Sequence, residues 1–386
     1  MATEKSQADT LAAQEGGAQS SLGRKPARLA LLLILAIVFF VAVSGLSRVY
    51  HAQQEALGNR WFTRGIADLK GQRFERAVSE FRTALLYSRD NYAYQLDLAE
   101  ALIGLKRTNE AEAYLVNLWD REPENGLVNL ELARIAAQKH DTEQSLRYYH
   151  NAIYAIWPSD QEAERQNVRL ELIEYLFSIN DKTQAQSELI ALAANLGDDP
   201  SQHARAGDLF LRAQDYDHAL AEYHLSLKVD RQEPAVLAAA GRAAFELGRY
   251  ELAHRYLQDA VTADPSDAQS AARLKTTALV LQMDPFRRPI SVAERHQLVI
   301  QAFAVAGQRL LDCSTHDGAA SLRDLSEKWS TMKGQVNEWG LQRNPDLVET
   351  SMDLVFSIER QTSATCGAPT GEDLALLLIA KMHEGN

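Results

Sequence analysis

Residues 58–91 read GNRWFTRGIADLKGQRFERAVSEFRTALLYSRDN, and the pattern of this 34-residue block recurs five more times along the chain. The six blocks are 58–91, 92–125, 126–159, 166–199, 200–233 and 234–267. Position 20 of every block is small, as Ala77, Ala111, Ser145, Ala185, Ala219 and Ala253. Position 24 is always large and apolar, as Phe81, Leu115, Tyr149, Leu189, Tyr223 and Leu257. A repeat of this length predicts a helical solenoid built from stacked hairpins.

Position 8 of the blocks is the third regular site. It is small in five blocks, as Gly65, Ala99, Ala133, Gly207 and Gly241, and it is Ile173 in the fourth. We interpret positions 8 and 20 as the points where two helices of a hairpin cross closely, with the side chain at position 24 wedged between them.

The composition of the chain supports an all-α fold. Its 386 residues are 46% hydrophobic and 24% charged, with only ten prolines, and helix-forming residues dominate. No segment alternates apolar and polar residues as a half-buried strand does.

The repeated residues resemble the tetratricopeptide repeat. Trp61 and Gly65 open the first block, and the further matches in the blocks are Phe74, Ala77, Phe81, Ala84, Pro123 and Pro265. The resemblance implies a right-handed α-solenoid of six hairpins over residues 58–267, in a family of non-catalytic scaffolds that bind a protein or peptide partner. Ile173, Lys182 and Arg64 depart from the family pattern, which we interpret as weaker repeats.

Residues 29–47, LALLLILAIVFFVAVSGLS, carry no charge. As a helix they would be about 28 Å long, close to the hydrocarbon thickness of a bilayer. We expect a transmembrane helix here; a signal peptide cleaved near Ala42 and Ser44, or a buried helix of a soluble protein, are the alternatives. Residues 48–57 contain no proline or glycine and are expected to continue the helix as a stem.

The charges around this segment predict its orientation. Arg24, Lys25 and Arg28 precede it, so the positive-inside rule places residues 1–28, a disordered tail, in the cytoplasm and the repeats in a periplasm or other extracytoplasmic space. Beyond the segment, 36 basic residues face 49 acidic ones, a formal charge of −13. This balance argues against nucleic acid or an anionic lipid surface as the ligand.

After residue 267 the period ends. We expect a capping helix and link over 268–289 and a C-terminal domain of four helices over 290–386. Cys313 and Cys366 each follow a predicted helix, and they form either a disulfide, two buried thiols or, least favoured, a reactive nucleophile. A metal site at Cys313, His316 and Asp317 would lack a second ligand pair, so neither a metal nor a cofactor is expected. No catalytic motif or small-molecule site is evident.

The first helix of each hairpin offers the best candidate surface, because in this family it lines the inner face of the solenoid. The side chains expected to form a groove for a protein partner are Phe62, Ile66, Lys70, Glu100, Arg134, Glu174, Asp208, Arg212, Arg242 and Phe245. The charges at position 9 alternate in sign, which suits a peptide whose own charges alternate. They could equally pair with one another between adjacent repeats.

The sequence therefore predicts a membrane-anchored scaffold that holds a protein partner outside the cytoplasm. A cytoplasm-facing adaptor of a membrane enzyme or secretion complex is one alternative. A second alternative is that residues 290–386 form an enzyme to which the repeats present a substrate.

Overall fold

The computed structural model describes residues 24–157, 161–315 and 321–383, and only the backbone of 24–28 and 161. Most of the predicted disordered tail (1–23), and His316 and Asp317 of the candidate metal site, lie outside the described residues. The predicted all-α fold is confirmed: these ranges contain eighteen α-helices and no strand. The chain divides into two compact units, Met1–Val168 and Arg169–Asn386.

Unit 1 consists of three antiparallel helical pairs, of which the first helix is unusually long. Its helices are α1 (Arg24–Lys70), α2 (Phe74–Tyr87), α3 (Tyr92–Gly104), α4 (Thr108–Arg121), α5 (Gly126–Gln138) and α6 (Thr142–Ile153). Helix α1 runs without interruption from the apolar segment through the stem into the first pair. The stem is therefore helical, as expected from its composition.

The helix α7 (Gln161–Ser178) contains the boundary between the units and has eighteen residues, against thirteen or fourteen in α3, α5, α9 and α11. The first helix of the fourth block is thus longer than those of the second, third, fifth and sixth blocks. Unit 2 continues with α8 (Lys182–Ala193), α9 (Pro200–Ala213), α10 (Tyr216–Val229), α11 (Pro234–Glu246), α12 (Tyr250–Ala263) and α13 (Ala268–Met283).

The two helices of each hairpin approach each other closely at the positions that the sequence pattern predicts. A Cβ atom added to Gly65 would lie 2.5 Å from the ring of Phe81, and one added to Gly207 would lie 2.6 Å from the ring of Tyr223. The small residue at position 20 is fully buried in all six blocks. Ser145, the one polar residue there, donates its hydroxyl to the carbonyl oxygen of Ala133 at 3.3 Å. Positions 8, 20 and 24 thus form the close crossing that their residue types predicted.

The turn inside each pair has one conformation in all six repeats. Position 15 lies in the left-handed region, with φ between 56° and 69°, in Gln72, Lys106, His140, Asn180, Gln214 and Gly248. The following residue donates its N–H to the carbonyl five residues earlier, for example Arg107 to Leu102 at 2.9 Å and Asp215 to Phe210 at 2.9 Å. This bond defines the Schellman motif that ends a helix.

The C-terminal part of unit 2 differs from its prediction. It has five helices instead of four: α14 (Val292–Ser314), α15 (Arg323–Met332), α16 (Glu338–Arg343), α17 (Asp346–Cys366) and α18 (Gly371–His383). The additional helix forms because α15 ends at Met332 and Asn337 caps a new helix by accepting the N–H of Gly340 at 3.0 Å. The helices share one apolar core with α13, which packs against α12 and α18.

Candidate functional site

The aromatic and aliphatic members of the predicted groove in unit 1 are partly structural. The ring of Phe62 on α1 stacks on that of Tyr94 on α3, with ring centroids 4.6 Å apart. Phe62 and Ile66 are half-buried and pack against the core of the first two pairs, whereas Lys70 at the end of α1 is exposed. The first helices α1 and α3 therefore lie side by side and present one surface.

Charged side chains follow on the same surface of α3 and α5. Arg134 donates to Glu131 at 2.6 Å and also lies close enough to Glu100 to favour ionisation of its carboxyl group. Burial nevertheless raises the pKa of Glu100. Glu131 was not predicted as a site residue; it lies one helical turn before Arg134, the spacing at which two side chains share a face.

Asp97 on α3 is the other residue that the sequence prediction left out of the groove. Its pKa is raised to about 6, mainly by burial and additionally by the negative charge of Glu100. Within the described ranges no cationic side chain forms an ion pair or hydrogen bond with it. Asp97 and Glu100 are three residues apart and therefore share one face of α3. The spacing could have identified Asp97, but its missing partner could not be read from the sequence.

In unit 2 two of the predicted charged residues, Glu174 and Arg212, pair with each other. The two terminal nitrogens of the Arg212 guanidinium, Nη1 and Nη2, donate to the two carboxylate oxygens of Glu174, each at 2.9 Å. The guanidinium lies 4.2 Å from the centroid of the Phe177 ring. Asp208 accepts the hydroxyl of Tyr223 at 2.7 Å. Glu174 and Arg212 thus pair between adjacent repeats, which is the alternative left open by the sequence, whereas Asp208 is bonded to a neutral hydroxyl within its own pair.

The last two predicted groove residues lie on α11. Arg242 is exposed and close enough to Tyr223 to oppose the rise in the pKa of its hydroxyl, which burial and Asp208 cause. Phe245 is half-buried, and its ring meets that of Tyr250 edge-on at 5.5 Å. Phe245 therefore contributes to packing, while Arg242 remains available at the surface.

The two cysteines form a disulfide in the structure. The Cα atoms of Cys313 and Cys366 are 5.9 Å apart, and the bond joins the end of α14 to the end of α17. In this bond the sulfur of Cys313 is covalently linked to that of Cys366, so it is not a free thiolate for a metal. No cluster of three or more histidine, cysteine or carboxylate side chains suited to a metal occurs within 24–157, 161–315 and 321–383.

A buried charged cluster beside the disulfide was not predicted. Glu359 on α17 is fully buried, and its carboxylate lies 3.4 Å from the Nε atom of Arg309 on α14. The Nη1 atom of Arg309 lies 3.6 Å from the carboxylate of Asp373 on α18. Arg309 additionally donates to the hydroxyl of Thr362 and to the carbonyl of Gly367, both at 2.9 Å. Glu359 belongs to the apolar stripe of α17, a position that could have marked it in the sequence.

The comparisons with known proteins agree with the helical pairs. Family models described as tetratricopeptide repeat match residues 69–121 and 204–268. No curated protein matches the chain.

Several solved structures resemble the chain in fold. The tetratricopeptide protein YrrB, described with an unusual peptide-binding site, is 14% identical, covers 50% of this chain and 95% of its own, and has a TM-score of 0.38. PilF of Pseudomonas aeruginosa is 16% identical, with coverage of 57% and 97% and a TM-score of 0.38. A tetratricopeptide repeat protein of Parabacteroides merdae is 9% identical, with coverage of 84% and 99% and a TM-score of 0.38. Because the family models fall on the helical pairs described above, the chain contains tetratricopeptide repeats within residues 69–121 and 204–268.

Proposed function

We propose that this protein is a non-catalytic scaffold that is anchored in a membrane by α1 and binds a basic segment of a partner protein. The binding surface is the face formed by the first helices of the repeats in unit 1. The repeats lie on the extracytoplasmic side of the membrane.

The surface of α1 supports the anchor. Over the apolar segment its side chains are exposed, including Phe39 at 69% and Phe40 at 72%, and none of the most apolar window is buried. A soluble protein would cover a core helix of this composition, because exposed apolar area is unfavourable in water. Measurement of the intact mass of the membrane-extracted protein separates the anchor from a cleaved signal peptide, which would remove Phe39 and Phe40.

The proposed sidedness is supported by Arg24, Lys25 and Arg28, which precede the apolar segment. Alkaline phosphatase fused to the C-terminus is expected to be active. Fluorescence of a reporter that matures only in the cytoplasm would instead favour the cytoplasm-facing adaptor.

The unpaired carboxylate of Asp97 is the observation that carries the proposed binding role. Burial and the nearby Glu100 both disfavour its charged form, and no cation of the described chain compensates. A lysine or arginine of a partner would compensate that charge and lower the pKa of Asp97. Binding is favoured because it relieves an unfavourable charge interaction that is present in the free protein. A partner segment with basic residues therefore fits this face.

A crosslinking experiment tests the binding face. A photoreactive residue placed at Lys70, on the first-helix face, is expected to crosslink a partner in intact membranes. The same residue at Val116, which is exposed on the second helix α4, is expected to give little product. Equal crosslinking at both positions would contradict the proposed face.

The charge requirement is tested in the same assay. Asp97→Asn with Glu100→Gln should lower the crosslinking yield about five-fold or more, as expected when about 1 kcal/mol of charge interaction is lost. The matched control removes two exposed carboxylates from second helices, Asp120→Asn with Glu143→Gln, and should leave the yield unchanged. Thermal unfolding of the control should match that of the unaltered protein, whereas Asp97→Asn with Glu100→Gln should not lower the stability, because the raised pKa values mean that both charges are unfavourable in the free protein.

A further inference from the structure

The two edges of unit 1 differ in their distance from the apolar segment of α1. Because the helices alternate in direction, the connections between pairs, residues 88–91, 122–125 and 154–157, all lie at the end where α1 leaves its stem. We refer to these three connections as the stem edge. The turns within the pairs, at Gln72, Lys106 and His140, lie at the opposite edge, about 20 Å away along a helix of thirteen residues.

Contacts of the first connection fix the level of the stem edge along α1. A cavity of about 690 Å³ is lined by Ala52, Glu55 and Asn59 of α1 together with residues 88–91. Ala52 lies five residues beyond Ser47, the end of the uncharged segment, and so about 8 Å further along the helix axis. The polar layer on each side of the hydrocarbon core is about 5–7 Å thick. The stem edge therefore begins just outside the head-group layer if α1 spans the bilayer, within the length of one side chain.

The third connection presents apolar side chains at this edge. Tyr154 is 76% exposed and Ile156 is 62% exposed, although both are large and apolar. The backbone of Ile156 is fixed, because its N–H donates to the carbonyl oxygen of Glu124 at 3.0 Å and its carbonyl oxygen accepts the N–H of Gly126 at 3.3 Å. The buried indole of Trp157 also fixes the connection by donating to the carbonyl of Ala152 at 3.0 Å. The opposite edge carries only polar residues at its three left-handed positions.

The charges of the stem edge identify the kind of surface that it fits. Arg89, Asp90, Glu122 and Glu124 carry both signs, without a basic cluster that would favour anionic lipid. Tyrosine and aliphatic side chains are favoured at the boundary between lipid and water irrespective of lipid charge. A zwitterionic bilayer surface is consistent with both properties.

We propose that the stem edge of unit 1 lies on the bilayer that α1 crosses, with Tyr154 and Ile156 inserted among the lipid head groups. The proposal rests on the anchoring of α1 in a membrane. It gives unit 1 a second membrane contact, so that its helical pairs stand upright on the bilayer and the turns at Lys106 and His140 point away from it.

Fluorescence depth measurement on the full chain tests this contact. An environment-sensitive fluorophore is attached to a cysteine introduced at Ile156, with the native disulfide intact, and the protein is placed in phosphatidylcholine vesicles. We expect blue-shifted emission and quenching by nitroxide-labelled lipid. The matched control is the same fluorophore at His140, on the opposite edge, where water-like emission and no lipid quenching are expected.

A variant separates insertion of the native side chains from insertion of the fluorophore. With the fluorophore at Leu127, replacement of Tyr154 and Ile156 by serine should lower the lipid quenching about two-fold or more, while unfolding stays unchanged. Vesicle flotation shows in parallel whether the chain is anchored. Water-like emission at Ile156 in floating protein would overturn the membrane contact and leave the anchor intact, whereas protein that does not float would overturn both.

Discussion

At the scale of single residues, Glu359 is the most unusual group in the described chain. It is fully buried, and neither of its carboxylate oxygens accepts a hydrogen bond from the described residues. Burial and the nearby Asp373 raise its pKa from 4.5 to about 8, against the opposing effect of Arg309. Between these two pH values the folded chain binds more protons than the unfolded chain, so this contribution to stability is present below pH 4.5 and is lost as the pH rises to about 8.

Replacement of Glu359 by glutamine is expected to remove this pH dependence. The amide keeps the shape of the protonated carboxyl group but does not ionise, so the variant should gain stability relative to the unaltered protein as the pH rises from 5 to 8. Thermal unfolding at several pH values measures the difference. Glu349→Gln, on the exposed side of the same helix, is the control and should show no such trend. A constant difference between the two proteins at all pH values would contradict the raised pKa of Glu359.

At the scale of the elements, the turn within each pair is repeated more strictly than the sequence suggests. All six turns place position 15 in the left-handed region, yet only Gly248 is a glycine. Lys106, Gln214 and the other residues at this position carry a Cβ atom that this conformation disfavours. The Schellman bond and the packing of both helices hold the turn in place against that preference.

A pair of substitutions tests the left-handed turns. Lys106→Gly should raise the free energy of unfolding by about 0.5–1 kcal/mol, and Gly248→Ala should lower it by a similar amount, because only glycine adopts this conformation without steric cost. Denaturant unfolding measures both changes. Lys106→Ala keeps the Cβ atom and serves as the control with little expected effect. A destabilised Lys106→Gly variant would mean that the lysine side chain supplies a contact that outweighs the backbone cost.

The elements also show what the sequence could and could not predict. The crossing of Gly65 with Phe81, the long helix α7 and the helical stem all follow from residue size, spacing or helix propensity, which are local properties. The left-handed residues Gln72 and Lys106 escaped prediction because tertiary packing overrides their own preference. The pairing of Glu174 with Arg212 was one of two open alternatives, since a repeat pattern gives faces but not distances between side chains. Asp97 was left out of the groove although its spacing from Glu100 places both on one face of α3.

At the scale of the whole molecule, the disulfide is a covalent link that only unit 2 contains. Cys313 and Cys366 are 53 residues apart, and the loop that they close includes α15 and α16. On the chain-entropy description, closing a loop of this length stabilises the folded state by about 4 kcal/mol. The effect applies to the C-terminal helices, whereas the repeats of unit 1 contain no cysteine.

Replacement of both cysteines by serine should therefore weaken the C-terminal helices selectively. We expect loss of about 4 kcal/mol of protection in hydrogen exchange for α14 and α17, with unchanged protection in α3 and α5. The unaltered protein under reducing conditions should show the same pattern. Equal loss of protection in both units would mean that they unfold as one cooperative body.

The unbroken course of α1 ties the direction in which the repeats face to the length of the stem. Each residue of an α-helix advances the chain by 100° of rotation, so one residue inserted between 48 and 57 would swing Asp97 and Glu100 more than a quarter turn around the axis of α1. Two inserted residues would turn Asp97 and Glu100 by about 200°, to nearly the opposite side of α1. The number of residues in the stem therefore sets the direction, about the axis of α1, in which the proposed binding face points relative to the apolar segment.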